Sequence, residues 1–114
     1  MNQTVEQKSF HFAVRIVKLY RYLTETQKEY ILSKQLMRSG TSIGANIAEA
    51  EQAQSRADYI EKLSIALKET SETNYWLRLL KATGYMQEAE FRSIYNDCLE
   101  LGKMLTAIIK SSKE

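Results

Sequence analysis

The chain has no proline, one cysteine, one histidine and only four glycines in 114 residues. Sandwiches and barrels need turn punctuation every 8–12 residues or so, and a proline-free chain with few glycines does not supply it. Long uninterrupted helices are expected instead. Cys98 has no second cysteine to pair with, so nothing ties the chain to an oxidising compartment. His11 lies in sequence among Lys8, Arg15 and Lys18 with no carboxylate to orient it, which makes it a poor general base. The Glu-x-x-His pairs that build dinuclear metal sites in helical bundles are missing as well. No apolar run approaches the roughly 18–20 residues of a membrane span, and "MNQTVEQKSF" lacks the basic start, apolar stretch and cleavage site of a signal peptide. The expectation is a cytoplasmic, non-enzymatic protein with no catalytic residues, metal, cofactor or membrane partner.

Hydrophobic residues make up 44% of the chain, enough for the core of one domain spanning 1–114 and too little length for a second. The net charge of +2 is unevenly spread. Residues 1–40 hold seven Lys/Arg against three Glu, residues 41–75 hold three against six acids, and residues 76–114 hold six against five. Basic charge is therefore concentrated early.

Hydrophobic periodicity predicts four helices, at about 9–23, 29–51, 56–83 and 87–111. In the first, Phe10, Phe12, Ala13, Ile16, Val17, Leu19, Tyr20 and Leu23 form a wide apolar arc, and Lys8, His11, Arg15, Lys18 and Tyr22 fall opposite it. Ser55, with Asp58 three residues on, suits the start of the third helix, and Gly84 suits its end. The third helix carries a main apolar stripe and a second patch of Ile65, Trp76, Leu79 and Leu80, so it has two faces to bury. Cys98 falls on the apolar stripe of the fourth, as a structural thiol would. Four helices of similar length with short connections predict an all-α, antiparallel up-down-up-down four-helix bundle.

The stretch "RSGTSIGANIAEAE" from Arg38 to Glu51 interrupts this regularity with glycines and hydroxyls. A phosphate loop would need a preceding strand and a following lysine, and neither is there. Gly40 and Gly44 lie one helical turn apart and each costs about 1 kcal/mol relative to alanine inside a helix, so close approach of another helix is expected at them. Whether that helix belongs to the same bundle or to another subunit is open at this level. Arg38, Ser42, Asn46 and Glu49, with Gln35 and Ser39, form a polar stripe of short side chains on the other side. A solvent face, an interhelical or intersubunit hydrogen-bond network and a ligand contact all fit it. Trp76, beside Tyr75 and Arg78, is a further candidate for helix or subunit packing.

"QLMRSGTSIGANIAEA" followed by "DYIEKLSIALKETSETNYWLRLL", with "KSFHFAVRIVKLYRYL" ahead of them, resembles the four-helix-bundle family encoded within intervening sequences of bacterial 23S ribosomal RNA genes. The resemblance covers nearly the whole chain. The one departure is Ala50, where the family commonly has the glycine of an NIAEG variant, and alanine suits a helix better. The family is similar in turn to the accessory protein of diversity-generating retroelements, with pentameric, basic relatives associated with nucleic acid. The resemblance thus implies a homo-oligomer, a pentamer, with RNA or RNA–DNA as partner. The residues that suit such a partner are Lys8, Arg15, Lys18 and Arg21, which could contact phosphates without reading bases. The competing reading is a structural oligomer whose partner is another protein and whose basic stripe is incidental.

Overall fold

The computed structural model describes residues 3–114, in which four helices run α1 (Val5–Glu25), α2 (Leu32–Ala50), α3 (Arg56–Ala82) and α4 (Glu88–Ser112). Each helix packs on its sequence neighbours, and α4 closes against α1. Ser9 faces Gly44 while Ile16 faces Gly40, and Ser39 faces Thr73 while Glu49 faces Lys62, so successive helices run antiparallel. The result is an up-down-up-down rod of 45 × 24 × 23 Å. No described helix is long and apolar enough to cross a membrane.

Local chemistry explains where the helices begin and end. Helix α1 starts four residues before the periodic apolar pattern, because Thr4 and Gln7 form a capping box: Thr4 Oγ1 accepts from Gln7 N and Gln7 Oε1 accepts from Thr4 N, each at 3.1 Å. Helix α2 starts three residues later than expected. Glu29 does not enter it but caps it, its carboxylate accepting from Ser33 N (2.7 Å), Leu32 N (3.0 Å) and Ile31 N (3.2 Å). Burial alone would raise the Glu29 pKa, yet these bonds and the Ser33 hydroxyl outweigh it and hold the carboxyl below its ordinary 4.5. Ser55 caps α3 as expected, accepting from Asp58 N at 3.1 Å, while Asp58 turns back to Gln54 N. Gly84, at φ +88°, ends it in a Schellman arrangement, with Tyr85 N donating to Leu80 O and Gly84 N to Lys81 O.

The core is one continuous cluster in which Phe12, Ile16, Leu36, Ile43, Leu77, Leu101 and Leu105 are fully enclosed. Leu80 joins this main core, whereas Ile65, Trp76 and Leu79 stay half-buried, Trp76 packing against the edge of the core. Phe10 departs from the expected apolar arc and is 67% exposed, because α1 turns its Phe12, Ile16, Leu19 and Leu23 edge inward and Phe10 lies well round from it. Buried hydroxyls are matched locally: Thr73 Oγ1 lies 2.9 Å from Ser39 Oγ and 2.8 Å from Glu69 O. Among the described residues no buried side-chain nitrogen or oxygen lacks a partner.

The two glycines of α2 face α1 of the same chain. A Cβ on Gly40 would lie 2.8 Å from Ile16 Cγ1, inside van der Waals contact with a fully buried side chain. At Gly44 the nearest atoms, Ser9 O and Oγ, would be 3.4 Å away. Gly40→Ala is therefore expected to lose stability, because overpacking costs about 1–3 kcal/mol against a propensity gain of about 1 kcal/mol. Gly44→Ala should stay within about 1 kcal/mol of wild type. Urea unfolding of the pair checks this, and equal effects would mean that Ile16 does not constrain the site.

The Glu29 cap carries its own pH signature. A carboxyl whose folded pKa is lowered adds stability that is complete above its unfolded value and is lost as pH falls through the folded value. Glu29→Gln should cost about 1.5–3 kcal/mol at pH 7, since it replaces charged hydrogen bonds, and the gap from wild type should close as pH drops below 4.5. Chemical denaturation across pH 3–7 measures it, and a gap independent of pH would remove the carboxylate from this role.

Candidate nucleic-acid interface

The basic residues of α1 divide into two pairs with different surroundings. Lys8 and Arg15 are seven positions apart and flank α4. Lys8 Nζ lies 3.3 Å from Glu100 Oε2 and 3.6 Å from Asp97 Oδ1, with its side chain only 13% exposed. Arg15 Nη1 donates to Asp97 Oδ2 at 2.6 Å and Nη2 to Ser93 Oγ at 3.1 Å. Along this seam the helix backbones approach closely over less of their length than elsewhere, and charged side chains bridge it. Lys18 and Arg21 are exposed, and neither has an ion-pair partner among the described residues. His11 is exposed, its Nδ1 2.6 Å from Gln3 Nε2.

The α2 residues read from sequence sit on two seams within the chain. Gly40 and Gly44 face α1. Arg38 reaches across to α3, where its guanidinium pairs with Glu72 and lies 3.4 Å from Glu69 Oε2. Glu72 also accepts from Trp76 Nε1 at 2.9 Å, so Arg38, Glu72 and Trp76 make one network tying α2 to α3. Glu49 pairs with Lys62 Nζ at 3.2 Å, and Asn46 Nδ2 donates to the Ser42 carbonyl of its own helix at 2.9 Å. Trp76 packs partly against the core and edge-on to Tyr75, over whose ring Arg78 lies at 5.8 Å.

Neither nucleophile nor metal chemistry gathers around these groups. Cys98 is buried, and burial first, with the nearby Asp97 charge second, pushes its thiol pKa up to about 12. Its Sγ donates to Thr70 O at 3.4 Å, a structural use. Among the described residues no three His, Cys, Asp or Glu side chains cluster as metal ligands. One shallow groove lies between α1 and α2, with Phe10, Ala13, Thr41, Gly44, Ala45 and Ala48 along it, and another between α1 and α4 is lined by Arg15, Lys18, Tyr22 and Glu90.

The architecture and the sequence now point to one lineage. Over residues 1–107 the chain matches the family described as 23S rRNA-intervening sequence protein. The chain belongs to that family. It is also similar to the crystal structure of a protein of unknown function from the S23 ribosomal protein family of Bacteroides thetaiotaomicron. Identity is 61%, the TM-score is 0.93, and the match covers 94% of this chain and 99% of that one. No curated protein matches the chain.

In this family member the α4 partners of the basic stripe emerge only from the packing of α1 on α4. Ser93, Asp97 and Glu100 lie three and four apart on the flank of α4 that faces α1. That spacing was the available signal, because it is complementary to Lys8 and Arg15 across an antiparallel contact. Phe10 was likewise visible in sequence, but only the rotation of α1 reveals it as surface.

Proposed function

We propose that this protein is a non-enzymatic, self-associating helical bundle that binds nucleic acid, structured RNA in particular, through the basic face of α1. The observation that carries the reading is the presence on one helix end of Lys18 and Arg21, exposed and without carboxylate partners among the described residues. Unpaired cations can neutralise phosphates and release counterions, whereas Lys8 and Arg15 would first have to leave Asp97 and Glu100. The family's connection with ribosomal RNA genes agrees with an RNA partner by association. Assembly into a cytoplasmic ring of five, as the family resemblance implies, would repeat a weak basic site and raise its avidity without further contacts.

A second reading has its own support. Phe10 stands exposed beside a groove of small residues, a surface suited to another protein or another copy, so a protein-interaction oligomer without nucleic acid accounts for that feature equally well. Salt dependence separates the two. Binding to a structured RNA should weaken steeply between 50 and 200 mM salt, and Lys18→Gln with Arg21→Gln should flatten the log–log slope by about 1–2. Lys110→Gln with Lys113→Gln, at the other end of the rod, should leave it nearly unchanged. Equal losses in both double variants would reduce the attraction to net charge, and no binding by wild type at low salt would favour the protein partner.

Light scattering tests assembly. An oligomer several times the 13.2 kDa chain mass is expected at micromolar concentration. A monodisperse 13.2 kDa species would end the self-association proposal.

A further inference from the structure

Four cations without ion-pair partners among the described residues flank the turn joining α1 to α2. Lys18 and Arg21 approach it on α1, Lys28 lies within it at φ 57°, and Lys34 stands on the first turn of α2, all four exposed. None has an ion-pair partner among the described residues, while the ion pairs that do form involve other cations. Two tyrosines sit among them, Tyr22 at 39% and Tyr30 at 59% exposure, next to Ile31 at 76%.

This end of the rod is built rather than frayed. Gln27 Nε2 donates to Tyr22 Oη at 2.7 Å, linking the ring to the turn, and Glu29 N donates to Leu23 O at 2.8 Å. The Glu29 carboxylate, which would otherwise cancel one cation, is buried and occupied by three backbone N–H groups of α2. Those bonds also remove the α2 N-terminus as an anion site. Glu25 is the one exposed carboxylate in the chain between Lys18 and Lys34, and Glu90 of α4 lines the groove beside Lys18 and Tyr22, so four cations face two exposed carboxylates and the surface keeps a positive balance.

Resting on the nucleic-acid reading above, we infer that this turn is a binding site for an unpaired, single-stranded segment, with phosphates held by Lys18, Arg21, Lys28 and Lys34 and bases stacked on Tyr22 and Tyr30. Exposed aromatic rings interleaved with cations suit single strands, because an unpaired base offers a free π face that a duplex keeps inside its stack. The site is sequence-tolerant, since nothing in it presents a fixed pattern of donors and acceptors to base edges.

Fluorescence anisotropy with a 12-nucleotide oligouridylate and an RNA duplex of equal length tests this, with far-UV circular dichroism confirming that each variant is folded. Wild type should bind the single strand more tightly. Tyr30→Ala should weaken that binding about five- to hundredfold, as loss of one stacked base does, while Tyr30→Phe keeps it. Lys28→Gln with Lys34→Gln should lower both affinity and salt slope, and Lys110→Gln with Lys113→Gln should change neither. If wild type binds but the turn variants match it, or the duplex binds as well as the single strand, the site is refuted and the broader nucleic-acid reading survives. If wild type binds neither RNA, both fall.

Discussion

Close approach of α1 to α2 governs the arrangement of everything else in this bundle. Ile16 occupies the space that a side chain at Gly40 would fill, and one turn further along Gly44 admits the backbone of α1 at Ser9. A helix is stiff and its side chains are spaced by fixed angles, so pinning one line of contact fixes the direction of every residue on it. Once Ile16 lies over Gly40, Phe12, Leu19 and Leu23 enter the core, Phe10 emerges beside the α1–α2 groove, and Lys8 and Arg15 turn toward α4. The helix-propensity cost of two glycines is offset by this packing.

Charge serves two purposes on the resulting surface. On the seams it aligns helices: Lys8 and Arg15 meet Asp97 and Glu100, Arg38 meets Glu69 and Glu72, and Lys62 meets Glu49. Partly exposed pairs of this kind contribute on the order of 0–1 kcal/mol each, less than the apolar core beneath them, but a wrong register would set like charges together. At the α1–α2 turn the cations have no such role. The distinction matters for function, because a cation already held by carboxylates offers a phosphate little net gain.

Buried polarity follows the same economy. Glu29 gives up its freedom to cap α2, Ser33, Thr70 and Thr73 find carbonyl acceptors one turn back, and Ser39 Oγ meets Thr73 Oγ1 across the α2–α3 contact. The short hydroxyls of "RSGTSIGANIAEAE" thereby become explicable. Ser39 fits the buried α2–α3 contact with Thr73, Thr41 bonds back to the Met37 carbonyl, and Ser42 provides the carbonyl for Asn46. A long side chain at Ser39 would hold α2 and α3 apart.

Sequence alone determined the four helices, their antiparallel order and most of the core, because apolar periodicity and caps such as Ser55 and Gly84 are local properties written into neighbouring residues. It also marked Gly40 and Gly44 as a close contact. It did not determine which helix they touch, that Glu29 would cap α2 from outside, or that Lys8 and Arg15 would be taken up by α4 while Lys18 and Arg21 stayed free. Those outcomes depend on the rotation of each helix about its axis, and a helical sequence defines the angles between its own residues but not the angle at which it meets its neighbours. Only packing at Ile16 and Gly40, and the partners that it brings within reach, decides that angle.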